Sequence, residues 1–165
     1  MDMRSFVLFI AAIFLSANFA FADTDAGALV DQFKKATDLQ QQGLIKDVKN
    51  KKISAKGIVK NVEEYRTFNL NTDKGAPYYR AIAETQKSPS GNPYIVSFFY
   101  KDKDDVADIN KGQAVEKTGG LLKIFDERLW VSVWIYTGNI GPEEELLFGD
   151  PGAVPPPPVQ DPQGK

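Results

Sequence analysis

The 165-residue sequence contains no cysteine and no histidine. Without cysteine, these residues form no disulfide, offer no thiol nucleophile and build no Cys/His zinc site. Without histidine, the commonest general acid–base group is missing, and most familiar hydrolase sites are excluded with it. We therefore predict a non-catalytic protein with no metal, no cofactor and no catalytic residue, which is stabilised by packing alone.

Long apolar runs are also scarce, and the main one lies near the start, at residues 6–15. It follows Arg4 and leads to Ala20-Phe21-Ala22, which is the layout of a secretory signal peptide with an A-x-A cleavage site. The run is too short for a membrane anchor, which requires about 20 apolar residues. The sequence thus predicts a signal peptide over residues 1–22, cleavage after Ala22, a periplasmic or secreted protein, and no transmembrane segment after cleavage.

Charge is present but uneven. Between residues 34 and 60 there are eight lysines and two aspartates, whereas residues 126–165 carry seven acids, one arginine and one lysine. The lysine run has two interpretations: a patch that attracts an anionic partner, or a solvated face near the acidic segment. The second is favoured, because charge runs usually serve solubility.

Hydrophobic spacing predicts one helix and five strands after residue 22. Leu29, Phe33 and Ala36 recur at helical spacing, and Gly43 is a natural stop, so an amphipathic helix is expected within residues 23–43. Alternating patterns then predict strands over 52–65, 78–86, 93–101, 113–127 and 129–138. A short helix is expected at residues 106–109, between strands three and four. A last helical turn and a disordered proline-rich tail are expected over residues 141–165.

Two segments carry a resemblance to a known family. They are "NKKISAKGIVKNV" (residues 50–62) and "VADINKGQAVEKTGGL" (residues 106–121). Together they resemble the pattern of the tRNA-anticodon-like OB-fold family of exported bacterial proteins. The positions that match this pattern are Gly57, Val59, Lys111, Gly112, Val115 and Gly119. The chain departs from that pattern at Ile53 and in an insertion-like segment over residues 66–77.

The resemblance implies a mainly β protein, a five-stranded Greek-key OB-fold barrel over residues 44–140. It also implies a binding face on strands two and three, beside the loop that Arg66 begins. Aromatic side chains there would stack on bases or sugars, and cations would contact phosphates or other anions. The residues expected to bind a ligand are Tyr79, Arg80, Tyr94, Phe98, Tyr100, Arg66, Lys56 and Lys60. The alternative is that the bulky side chains of strand three fill the barrel.

Strand five raises a similar question, because Trp130, Ser132, Trp134 and Tyr136 alternate with an aliphatic set. We expect the N-terminal helix to cover the two tryptophans, since large exposed apolar patches are rare on monomers.

The function expected is that of an exported, monomeric binding module for an oligomeric or anionic ligand or an envelope partner. Nucleic acid is a weaker candidate, since the pI of about 5.2 is acidic and nucleic-acid modules are usually basic. A calcium-dependent phosphodiesterase or nuclease on the same barrel, and a purely structural interaction protein, are the alternatives.

Overall fold

The computed structural model describes residues 23–66 and 77–149. The predicted signal peptide, residues 67–76 of the expected binding loop and the proline-rich tail from residue 150 lie outside the described residues. The fold is mainly β, as predicted, with one six-stranded mixed sheet and a few short helices. No helix of the described residues is both long and apolar enough to cross a membrane.

Five of the six strands correspond to the five that the alternation predicts, and the sixth is a two-residue strand at the start. A short helix does lie between strands three and four, but it is a 3-10 helix at Asp104–Val106 instead of the expected 106–109, and the C-terminal helical turn is confirmed. In chain order the elements are β1 (Thr24–Asp25), α1 (Ala26–Lys35), α2 (Asp38–Val48), β2 (Lys52–Tyr65), β3 (Tyr78–Glu84), β4 (Tyr94–Tyr100), the 3-10 helix (Asp104–Val106), β5 (Ala114–Asp126), β6 (Val131–Tyr136) and α3 (Pro142–Phe148).

The hydrogen bonds of the sheet form a ring. The strand order is β1-β2-β3-β4-β6-β5, and β2 also pairs with β5. The first half of β2 is antiparallel to β5, and the second half is antiparallel to β3, with a bulge between Val59 and Asn61. Gly57 lies where the two pairings meet, and a Cβ there would lie 2.6 Å from the carbonyl oxygen of Glu84. The interior glycine of this long strand thus permits the close approach of β3.

The expected single N-terminal helix is wrong, because the structure has two helices there. Ala36 is extended, and α2 begins after Thr37, whose backbone N–H donates to the side chain of Gln40 at 2.9 Å. This T-x-x-Q pattern is that of a capping box, which begins a second helix at this point. Helix α2 then continues past Gly43 to Val48, because Ile45 and Val48 are buried.

Two apolar clusters lie on opposite faces of the strands. The inner cluster joins side chains of α1 and α2, among them Leu29 and Phe33, to alternate strand residues such as Val96, Phe98 and Ile135. The outer cluster is aromatic, and its buried members are Tyr78, Phe99, Leu122, Tyr136 and Phe148. Because side chains alternate along a strand, the sheet separates an aliphatic-rich interior from an aromatic exterior.

A buried carboxylate joins α1 to the connection between β3 and β4. Asp31 accepts hydrogen bonds from the Ser88 hydroxyl, from Ser90 N at 2.8 Å and from Asn92 Nδ2 at 2.8 Å. Burial by itself raises the pKa of Asp31, but these hydrogen bonds outweigh it and lower the pKa to about 2. The ionised aspartate therefore fixes the helix against this loop.

Candidate functional site

A partly exposed group of aromatic and cationic side chains covers part of the outer face. Trp134 of β6 is paired with Ser97 of β4 on one side and Lys123 of β5 on the other. We call the following set the outer aromatic surface: Tyr65, Arg80, Lys123, Phe125 and Trp134. All five retain solvent exposure, so the surface is open to a partner.

The three rings of this surface form a row with Trp134 in the middle. The centroid of Trp134 is 5.7 Å from that of Tyr65 and 5.5 Å from that of Phe125, with interplanar angles of 79° and 76°. Below them, the fully buried Phe99 lies 5.0 Å from Trp134. Edge-to-face rings at these distances attract each other, so the row is held together by ring contacts and is supported by the buried Phe99.

Two cations extend over the row. The guanidinium carbon of Arg80 lies 5.0 Å from the Tyr65 centroid and 6.0 Å from that of Trp134. Lys123 Nζ lies 5.9 Å from the centroids of both Trp134 and Phe125. These are cation–π distances. Arg80 also pairs with Glu63, whereas the described ion pairs do not include Lys123.

Helix α3 fixes one end of the row. Its Phe148 stacks on Tyr65, with the centroids 6.1 Å apart and the planes 13° apart, and it also contacts Phe99. The Tyr78 hydroxyl donates to Glu144 Oε1 of the same helix at 3.1 Å. Burial, followed by the charge of Glu144, raises the pKa of Tyr78, so this hydroxyl stays a donor. Helix α3 is held by both packing and hydrogen bonding.

Two predicted ligand contacts are corrected by burial. Phe98 is completely buried and Tyr100 is 4% exposed, because their side of β4 faces the inner cluster. Neither side chain is accessible to a ligand. For Phe98 and Tyr100, the alternative prediction holds, in which the bulky side chains of this strand fill the interior. Tyr79 and Tyr94 are only partly buried, but they also pack against the inner cluster.

The remaining predicted residues do not meet at one site. Lys56 and Lys60 line a cleft of about 580 Å³ around Ile58, together with Glu84, which pairs with Lys60. Arg66 is exposed and pairs with Glu64 at 2.7 Å. Of the predicted set, Arg80 alone belongs to the outer aromatic surface.

The lysine run approaches the acidic C-terminal part at two points. Lys34 Nζ lies 2.6 Å from Asp126 Oδ2, and Lys49 Nζ lies 3.2 Å from Glu145 Oε1. These contacts agree with the favoured interpretation of the lysine run, that of a solvated face near the acidic segment.

The expected cover of Trp134 by the N-terminal helix is wrong. Helix α1 packs in the inner cluster, with the aliphatic side of β6 (Val133 and Ile135), whereas Trp134 joins the outer cluster beside α3. Trp130 precedes β6 and lines a shallow cleft near Lys34 and Arg128. The two tryptophans therefore lie in different surroundings.

Sequence reasoning missed Tyr65, Lys123 and Phe125 as site residues. The sequence gives little indication of these three residues, because they lie on two strands, β2 and β5, that are distant in sequence from each other. In addition, a bulge between Leu121 and Lys123 shifts the alternation of side chains along β5. What the sequence does show is the alternation of Trp134 with its aliphatic neighbours, which indicates an aromatic face on β6.

Within residues 23–66 and 77–149, no group of three or more acidic side chains is arranged to hold a metal ion. No protein-family model matches the chain, and no curated protein matches it.

Proposed function

We propose that this chain is an exported, non-catalytic binding module with an OB fold, which binds an anionic ligand through the outer aromatic surface. The OB assignment is supported by the hydrogen-bonded ring of β2 to β6, in which the long strand β2 pairs with both β3 and β5. A short helix between β4 and β5 agrees with the same fold. Export rests on the layout of residues 1–22.

The observation that carries the binding proposal is the position of Arg80 and Lys123 beside the partly exposed ring of Trp134. Tryptophan, tyrosine and arginine are enriched where proteins bind partners. With the chain at a net charge of −2, these two cations act locally rather than through the overall field. An anionic group held between them would contact both cations while the rest of the ligand lies on the rings.

Among anionic ligands, an acidic oligosaccharide fits best. Sugar rings present apolar faces that stack on tryptophan and tyrosine, and the carboxylates of uronic acids would reach the two cations. An exported protein also meets glycans far more often than nucleic acid. Trp134 is partly exposed at the centre of the row, so we expect one sugar unit to contact it.

A calorimetric titration at two salt concentrations tests this function. An oligogalacturonate should bind more weakly as salt rises, because exposed charges are screened. Trp134→Ala should weaken binding at least 5-fold, in line with ~1–3 kcal/mol for a stacked ring. Lys123→Ala should weaken it about 2- to 5-fold, as expected for an exposed charge.

Lys117→Ala is the matched control, since Lys117 is exposed on the same strand but lies outside the outer aromatic surface. It should leave affinity unchanged. Equal losses in the Lys117 and Lys123 variants, or binding that salt does not affect, would contradict the proposed site. Binding of a single-stranded oligonucleotide without binding of the glycan would overturn the choice of ligand.

A further inference from the structure

We infer that the proline run at residues 155–158 binds across the outer aromatic surface of its own chain and thereby competes with the ligand. Residues 150–165 lie outside the described residues, so the inference starts from the surface and from the sequence "AVPPPPVQD". The competition rests on the proposed function, whereas the binding of the proline run does not.

The surface has the chemistry that proline-rich segments bind. A run of prolines prefers the polyproline II helix, which needs no hydrogen-bond partner along its backbone and loses little entropy on docking. Such helices dock in grooves between aromatic rings. Tyr65, Trp134 and Phe125 offer partly exposed rings in mutual contact to such a helix.

The length of the proline run matches the length of the row of rings. Polyproline II rises about 3.1 Å per residue, so four prolines span about 12 Å. The two steps along the row, from Tyr65 to Trp134 and from Trp134 to Phe125, measure 5.7 and 5.5 Å. One proline run is thus about as long as the row of rings.

The attachment point is at the same surface. Phe148, the last residue of α3, stacks on Tyr65, and six residues separate it from Pro155. Extended chain covers about 3.3 Å per residue, so the run reaches every ring of the row. A short tether gives an effective concentration in the millimolar range, so a contact with a Kd of about 1 mM suffices for occupancy.

Charge also favours binding of the proline-rich tail to the outer aromatic surface. Asp150 and Asp161 flank the proline run, and the nearest cation in this part of the chain is the terminal Lys165. Arg80 and Lys123 provide positive charge along the row of rings. Complementary charges guide such a segment into place and also explain how an anionic ligand would displace it.

Acrylamide quenching of Trp134 tests the inference without any ligand. In the full chain carrying Trp130→Phe, Trp134 is the sole reporter, since the chain has two tryptophans. Replacing the four prolines at 155–158 with serine should raise the quenching constant at least 2-fold. Adding a synthetic peptide of residues 150–165 to the serine variant should reverse the change in a saturable manner.

The matched control is the full chain carrying Trp134→Phe, in which the fluorescence comes from Trp130. Its quenching should not depend on the prolines, because Trp130 lies in another cleft. Equal quenching of Trp134 with prolines or serines overturns the inference. A proline effect that grows with protein concentration also overturns it, because the run would then bind a second copy.

Glycan titration of the serine variant completes the test. If the proline run competes, the serine variant should bind an oligogalacturonate at least 2-fold more tightly than the unmodified chain. An unchanged affinity overturns the competition. A quenching change without any glycan binding overturns the proposed function but leaves the docking of the tail in place.

Discussion

Tyr100 is an unusual core residue, because its hydroxyl is buried without a hydrogen-bond partner among the described residues. Burial, followed by the charge of Asp105, raises the pKa of Tyr100 to about 12, so the hydroxyl stays neutral. A buried polar group that lacks a partner costs about 1–3 kcal/mol. The ring itself contributes to the inner cluster.

Tyr100→Phe should therefore keep the free energy of unfolding unchanged or raise it by about 1 kcal/mol, since it removes the unpaired hydroxyl and keeps the ring. Urea denaturation measures the difference. Phe98→Ala, at a neighbouring inward position, should cost about 3–5 kcal/mol. A clear loss of stability in Tyr100→Phe would contradict the absence of a partner.

Asp31 gives the protein a defined response to acid. Its pKa is lower in the folded chain than the usual 3.8, at about 2, so the ionised form stabilises the folded state. That contribution is complete above about pH 4 and disappears as the pH falls towards about 2. Asp31→Asn should flatten the fall of the thermal midpoint across this interval, whereas Asn at the exposed Asp47 should keep the profile of the unmodified chain. Parallel profiles for the Asp31 variant and the unmodified chain would contradict this role.

At the level of elements, two glycines show how the same residue type has different roles. The sequence predicts that Gly43 ends a helix, yet it lies inside α2, and a Cβ there would meet no atom within 4 Å. Gly119, which the sequence places only on the family pattern, lies in β5, and a Cβ there would lie 2.0 Å from the carbonyl oxygen of Tyr136. The sequence alone does not distinguish a tolerated glycine from a required one, because the difference lies in the neighbouring strand.

Alanine substitution separates these two glycines. Gly43→Ala should stabilise the protein by about 1 kcal/mol, since alanine is the better helix former. Gly119→Ala should destabilise it by more than about 1 kcal/mol, because β5 and β6 must move apart to relieve the overlap. Urea denaturation of both variants provides the comparison, and equal effects would contradict the close crossing of β5 and β6.

Over the whole molecule, period-two alternation predicts the strands well, because each has one face in the inner cluster, as in Val131, Val133 and Ile135. The site is less predictable. Of the candidate site, the sequence predicts Arg80, but it also predicts ligand contacts for Phe98 and Tyr100, whose face of β4 is buried, since alternation gives two faces without saying which is interior. The rings of Tyr65, Phe125 and Trp134 meet only after the strands that carry them have paired.

The shared strand β2 has a consequence for how the chain folds. Its pairing with β3 and the pairing of β3 with β4 are local, whereas Lys52 meets Gly120 only after most of the chain has been brought back. Closing so long a loop is entropically expensive and gains stability only once the contact exists. We therefore expect the meander of β2, β3 and β4 to form early and the ring to close last, on the millisecond-to-second timescale of proteins dominated by distant contacts. Pulsed hydrogen exchange should then protect the amides of β3 before those of the first half of β2.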